Sequence, residues 1–250
     1  MAINRQMRVL SFKNYDEMSR AAAGHIADRV RQKPGSLLCF PSGDSPVGVF
    51  NYLIKYALEG NVNFSQCHFV GLDEWVGLGK NDEGSCTWSL YETFFNRLEI
   101  DPGHLHFFDA KAADLNASCQ AMDNFIKDKG PLDIMLVGIG MNGHIGLNEP
   151  GTGFNLYSHH SPLAPITVSV GQKYFKQHTP LHEGITLGLK YLQEAKTPIL
   201  LASGSKKAAI VRQALEGPVT DQLPGSIFQT LLSGMVFLDE GAASELTHLS

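Results

Sequence analysis

The stretch that most constrains this chain is residues 132–153, LDIMLVGIGMNGHIGLNEPGTG. An apolar run, Ile134 to Val137, breaks into glycines and then into polar residues. A strand that is apolar throughout is buried on both faces, as in a parallel sheet, and open α/β sheets place ligands at the carboxyl ends of such strands. Within eight residues the loop offers Asn142, His144 and Glu149, beside three glycines that allow close backbone approach. An imidazole can exchange protons near neutral pH, and a carboxylate such as Glu149 can orient or charge it. A carboxylate pair, Asp73-Glu74, follows a second strand-like run, Cys67 to Leu72. Two strand ends thus carry groups able to handle protons.

Strand and helix patterns alternate around this centre. Met18, Ala22, Ile26 and Val30 recur at helical spacing and predict an amphipathic helix over 15–31, stopped by Pro34-Gly35. Strands are predicted at 7–12, 37–40, 67–72, 105–108, 134–137, 198–202 and 235–238. Helices are predicted at 47–58, 87–98, 113–127, 187–195 and 225–232, with another running from Gly204-Ser205-Lys206-Lys207 to Leu215. That order implies an α/β fold in three layers, a mostly parallel sheet flanked by helices on both faces. At 250 residues the chain fits one large domain, 1–250. Residues 154–185, with His159, His160, Pro162, Pro165, His178 and Pro180, are the least regular part. A long irregular segment in a compact domain reads as a lid or binding loop.

Composition excludes several classes. Hydrophobic residues make up 43% and charged ones 18%, enough for a sizeable core and against disorder. A net charge of −5 leaves no basic footprint for nucleic acid. No apolar run reaches a membrane span, and MAINRQMRVLSF lacks a signal-peptide pattern. Cys39, Cys67, Cys86 and Cys119 are scattered, and those inside apolar runs read as packed thiols. A reduced, cytoplasmic protein is expected.

The loop Pro41-Ser42-Gly43-Asp44-Ser45-Pro46 opens onto a predicted helix start, where free N–H groups and the helix dipole suit an anion. Gly204-Ser205-Lys206-Lys207 reads as a second such place, with a lysine able to meet a phosphate. Gly138-x-Gly140-x-x-Gly143 matches the dinucleotide fingerprint only in part. A true fingerprint opens a helix, whereas Asn148-Glu149-Pro150-Gly151 cannot propagate one. Neither H-E-x-x-H nor G-x-S-x-G occurs, which disfavours metal catalysis and an α/β-hydrolase. From the residues alone, His144 could be a satisfied structural histidine, Glu149 a turn cap, Asp73-Glu74 a solvated pair, and Lys206-Lys207 ordinary surface cations.

Taken together, Gly71-Leu72-Asp73-Glu74-Trp75-Val76-Gly77-Leu78 and Gly143-His144-Ile145-Gly146-Leu147-Asn148-Glu149-Pro150 closely resemble the glucosamine-6-phosphate deaminase (isomerase) family. The resemblance runs from the Pro-Ser-Gly-x-Ser-Pro loop to Gly-Ser-x-Lys, nearly the whole chain. It implies a modified Rossmann-like fold without a cofactor. It also implies conversion of a 2-amino-2-deoxyhexose 6-phosphate to the ketose 6-phosphate and ammonia in amino-sugar catabolism. On that likeness Asp73 is the base at C2, His144 the acid/base of ring opening, Glu149 its supporting carboxylate, and Asn142 the third relay member, where some relatives carry Asp. Ser42, Gly43, Ser45 and Lys207 match the phosphate cradle, with Gly143 also assigned to substrate binding. Lys173 stands where the family tends to carry an arginine on a mobile lid, and it keeps the charge but loses the bidentate fork. Asp44 departs from the pattern, since a carboxylate beside a phosphate should repel it unless it points away or meets a sugar hydroxyl. Glucosamine 6-phosphate and galactosamine 6-phosphate both remain open as substrate. A homo-oligomer is allowed, but Ser158-His159-His160-Ser161 lacks the arginines of the hexameric members' allosteric site, so that control is expected to be absent.

Two rivals share the fold. A 6-phosphogluconolactonase needs a water activated by His144 but no C2 base, and the Ile145 to Pro150 sequence favours the deaminase. A sugar-phosphate sensor is expected to carry a DNA-binding segment and to lose the acid/base set, whereas this chain opens at its first predicted strand and keeps Asp73, His144 and Glu149.

Overall fold

The computed structural model describes residues 7–247. In chain order the elements are β1 (Arg8–Phe12), α1 (Tyr15–Gln32), β2 (Leu37–Phe40), α2 (Val47–Leu58), β3 (His68–Gly71), β4 (Asp73–Trp75), α3 (Cys86–Thr93), β5 (Leu105–His106) and α4 (Leu115–Lys129). There follow β6 (Ile134–Gly138), β7 (His159–Pro162), α5 (Pro165–Gly171), β8 (Glu183–Thr186), α6 (Leu189–Glu194), β9 (Pro198–Ala202), α7 (Ala208–Glu216), β10 (Met235–Asp239) and α8 (Glu240–Ala243). Local chemistry sets several boundaries. Asn14 accepts from the Glu17 amide to start α1, Asp114 caps α4, and Gly130 at φ +98° ends it.

Seven strands form one parallel sheet in the order β1-β10-β9-β6-β2-β3-β5. Alternate residues of each central strand face opposite layers. Cys39, Val70, Met135, Val137, Leu200 and Val236 enter one core, while Leu38, Phe40, Phe69, Leu136, Leu201 and Phe237 enter the other. Burial on both faces is why these strands read as unbroken apolar runs. The helices cover both faces, giving the three-layer, Rossmann-like α/β architecture expected from the sequence.

After β2 the chain builds outward through β3 and β5, then returns to β6 on the other side of β2 and proceeds to β9 and β10. The crevice between the carboxyl ends of β2 and β6 is therefore a topological switch point, where such sheets bind ligands.

The sequence reading missed a second sheet. Three short strands, β4, β8 and β7, pair antiparallel, with Asp73 and His159 both opposite Thr186. Residues 154–185 therefore hold β7, α5, a 3-10 turn at Gln172–Tyr174 and most of β8, rather than an irregular stretch. The segments DEW, HHSP and EGIT are too short and too polar to carry an alternation signal. Two predicted helices also shrink. The one at 87–98 is α3 followed by a 3-10 turn, and the one at 225–232 is a 3-10 segment, Pro224–Thr230. Among the described residues no helix is long and apolar enough to cross a membrane.

Candidate active site

Four loops reach the switch point: 41–46 after β2, Leu72 leading into β4 after β3, 139–149 after β6, and 203–207 after β9. The carboxylate pair after β3 divides its labour. Glu74 is 1% exposed and its oxygens accept from the amides of Trp75 (2.9 Å), Cys86 (2.8 Å) and Thr87 (2.8 Å). It thus occupies the first turn of α3, where the dipole and free N–H groups favour an anion. Its neighbour Asp73 turns the other way, into a cavity of about 130 Å³ lined also by Ser42, Gly43, Ser45 and His144. Burial, reinforced by the charge of Glu74, pushes the Asp73 pKa up to about 7, and a hydrogen bond from the Cys86 thiol offsets part of that rise.

The loop after β6 holds a linear relay. Asn142 Nδ2 donates to Glu149 Oε2 (2.8 Å), so its carbonyl oxygen faces His144 Nδ1 at 2.7 Å. A carbonyl can only accept, which assigns the proton to Nδ1 and leaves the Nε2 lone pair of the neutral ring for a ligand. Glu149 Oε2 lies 3.6 Å from Nδ1, and Thr167 Oγ1 lies 3.2 Å from it. Burial is the strongest influence on the imidazole and lowers its pKa; Glu149 pulls upward, and Lys207 adds to the lowering. The other Glu149 oxygen accepts from the Ala164 amide (3.1 Å) at the start of α5, tying the relay to the second sheet's connection.

Two of the three spaced glycines have reasons other than a dinucleotide. A Cβ on Gly140 would sit 2.3–2.4 Å from the His144 ring atoms, and one on Gly143 would meet Leu223 Cδ1 at 2.2 Å. Gly143, at φ +84°, makes the turn and does not line either hollow beside His144. Gly140 is thus a seat for the imidazole.

An amide orients the imidazole but cannot balance its positive charge. Asn142→Asp is therefore expected to raise the His144 pKa, by about one pH unit, because the added carboxylate favours the imidazolium even if it shares a proton with Glu149. An NMR titration of the ring protons checks this; an unchanged or lower midpoint would refute it.

The anion loop is rigidly built. Gly43 adopts φ +96°, and the Tyr15 hydroxyl lies 3.1 Å from the Asp44 and Ser45 carbonyls while accepting from the Gly48 amide (2.8 Å). Gly48 has no room for a Cβ, which would lie 2.4 Å from Ser19 Oγ. Lys207, at the start of α7, donates to the Ile139 carbonyl (2.6 Å) and lines a second hollow of about 90 Å³ together with His144, Thr167, Tyr174 and Trp75. Burial, with the charge of Lys173 adding, lowers the Lys207 pKa to about 8. Lys173 extends from the 3-10 turn after α5 to Asp44.

Ser42, Gly43, Ser45, Asp73 and His144 thus share one hollow; Asn142, His144 and Lys207 share its neighbour, with Gly140 and His144 common to both. Glu149 lines neither hollow and contacts the imidazole's partner Asn142. Sequence reasoning missed Thr167, Tyr174, Tyr15 and the Cys86 thiol, which hydrogen-bonds both Asp73 and Ser42. All four reach the site from elements distant in the chain, so no local pattern marks them. A larger hollow, about 620 Å³, lies by α4 and α6, but its tyrosines, Tyr191 and Tyr157, already donate to Asp123 and Glu194. Among the described residues no His, Cys, Asp and Glu side chains converge in a group able to hold a metal ion.

Comparison with known proteins agrees with this geometry. The family profile described as glucosamine-6-phosphate isomerases/6-phosphogluconolactonase matches residues 13–233. This chain belongs to that family. It is 33% identical over 241 residues to a glucosamine-6-phosphate deaminase of Clostridium perfringens, covering 96% of this chain and 100% of that one. A glucosamine-6-phosphate deaminase of Lachnoclostridium phytofermentans is 36% identical over 224 residues, 89% and 95% of the two chains. Among solved structures, a monomeric glucosamine-6-phosphate deaminase superposes with a TM-score of 0.92 at 33% identity, covering 96% of this chain and 100% of that one. The 6-phosphogluconolactonase of Leishmania guyanensis shares the fold at a TM-score of 0.73 and 21% identity, over 97% and 99% of the chains. The family's deaminase branch is thus nearer than its lactonase branch.

Proposed function

We propose that this member of the family is a deaminating aldose–ketose isomerase. It converts a hexosamine 6-phosphate, glucosamine or galactosamine in configuration, to the ketose 6-phosphate and ammonia. One observation carries the reading: Asp73, with Glu74 held apart at the start of α3, lines the same hollow as His144 and the anion loop. A lactonase needs no base there.

The roles follow from the atoms. The anion loop, with Ser42, Gly43 and Ser45, takes the 6-phosphate, with Lys207 and Lys173 supplying charge. Neutral His144 accepts the O1 proton at Nε2 and returns one to O5 as the ring opens to the aldehyde. Its imidazolium is supported by Asn142 and Glu149. Asp73 removes the proton from C2 while O1 takes one from solvent, giving an enolamine, and then delivers its proton to C1 as the nitrogen gives one up to solvent. The resulting C2 imine takes up water and releases ammonia, leaving the ketone. Tyr174 and the α5 segment, held to the relay by Glu149, line the second hollow from within 154–185, the stretch read as a lid, with Trp75 beside them.

The test is ammonia release from glucosamine 6-phosphate and galactosamine 6-phosphate side by side, with 6-phosphogluconolactone hydrolysis as control. Ammonia from either amino sugar is the expected result. Lactone hydrolysis without ammonia from either would overturn the reading.

A further inference from the structure

The two lysines proposed to meet the phosphate are held by acceptors of the protein itself. Lys207 Nζ donates to the Ile139 carbonyl, and Lys173 Nζ lies 2.6 Å from Asp44 Oδ2. Asp44 lies inside the loop, between Gly43 and Ser45, and also lines its hollow. Its carboxylate offers Lys173 what a phosphate oxygen would, a short charge-assisted contact. The contact joins segments 129 residues apart and draws the turn after α5 over the loop, where the Tyr174 hydroxyl lies 3.1 Å from the position of a Cβ on Gly43. The Asp44 backbone is pinned by Tyr15, whereas its side chain is 74% exposed and free to swing without disturbing the loop.

We propose that Asp44 is a built-in competitor for the ligand's phosphate, holding Lys173 across the anion loop until a dianion takes the lysine from it. The inference rests on the loop being the phosphate subsite. It explains a carboxylate in a place where it should repel the ligand. It also gives the loop selectivity, since a weakly charged anion gains little from a lysine already paired, whereas a phosphate dianion outbids one carboxylate. The competition is modest, because an exposed ion pair contributes little in water.

Binding of inorganic phosphate, measured by calorimetry on the full chain at low salt, tests this without turnover. Asp44→Asn is expected to bind phosphate about five- to tenfold more tightly than wild type, through loss of the competing pair and of a like charge beside the ligand. The gain should shrink as salt is raised. In a Lys173→Met background the gain from Asp44→Asn should be smaller, because the competition is gone and only repulsion is relieved. Equal or weaker binding by Asp44→Asn, no phosphate binding by either protein, or an undiminished gain in the Lys173→Met background would each overturn the proposal. Tightening without ammonia release from any amino sugar would refute the proposed reaction and leave the competition standing; ammonia release without tightening would do the reverse.

Discussion

Asp73→Asn is expected to lower kcat for ammonia release by about 10²–10⁴-fold, the usual contribution of a positioned general base. The amide keeps the shape of the side chain but cannot accept the C2 proton. Exchange of solvent deuterium into the sugar should fall in parallel, which separates loss of proton transfer from loss of binding. Turnover near that of the wild type would show that the carboxylate is not the base. Two further readouts follow from its pKa of about 7. The base works deprotonated, so wild-type activity should rise with pH through about 7. Stability runs the opposite way. An acid whose folded pKa lies above its unfolded value near 3.8 is destabilising once ionised, so its cost grows between pH 3.8 and 7 and is constant above. Asp73→Asn should therefore unfold later than wild type at pH 8, by on the order of 1 kcal/mol, with the difference fading toward pH 4. A variant less active and more stable is what a strained functional group predicts.

Gly140→Ala is expected to cut kcat by about 10²-fold while leaving the fold intact, because general acid–base catalysis depends on the imidazole being held in place. The added methyl would lie 2.3–2.4 Å from three ring atoms of His144, a separation that forces movement. The ring is anchored by Asn142 at 2.7 Å, so it can yield only by breaking the relay. Circular dichroism and phosphate binding should change little, since the anion loop is built on other residues. His144 should titrate nearer the ordinary imidazole value, its environment being less enclosed. Unchanged turnover would mean that the ring position seen here is not the working one.

The contrast between these two sites shows what a sequence can reveal. Asp73 and His144 stood out because each follows a strand-like run, Cys67 to Leu72 and Ile134 to Val137, a context that marks a polar residue as displayed at a sheet end. Their partners were harder to read. Glu74 looked equivalent to Asp73 until α3 was seen to place its amides on one carboxylate and not the other. Gly140 looked like part of a nucleotide fingerprint, and only the imidazole lying against it explains the absent side chain. Thr167 and Tyr174 belong to a segment that read as irregular, because strands of three or four polar residues carry too little periodicity to show.

By itself the sequence determined the parallel α/β layering and singled out the strand ends and the glycine loop from which a site could be built. Those properties follow from burial, periodicity and backbone restriction, which act over a few neighbouring residues. Tertiary structure alone decided which of two adjacent carboxylates keeps an elevated pKa and which accepts from the amides at a helix start. It also decided that Asp44 meets Lys173 from 129 positions away. Electrostatic environments are set by neighbours in space, and the chain brings those neighbours together only when it folds.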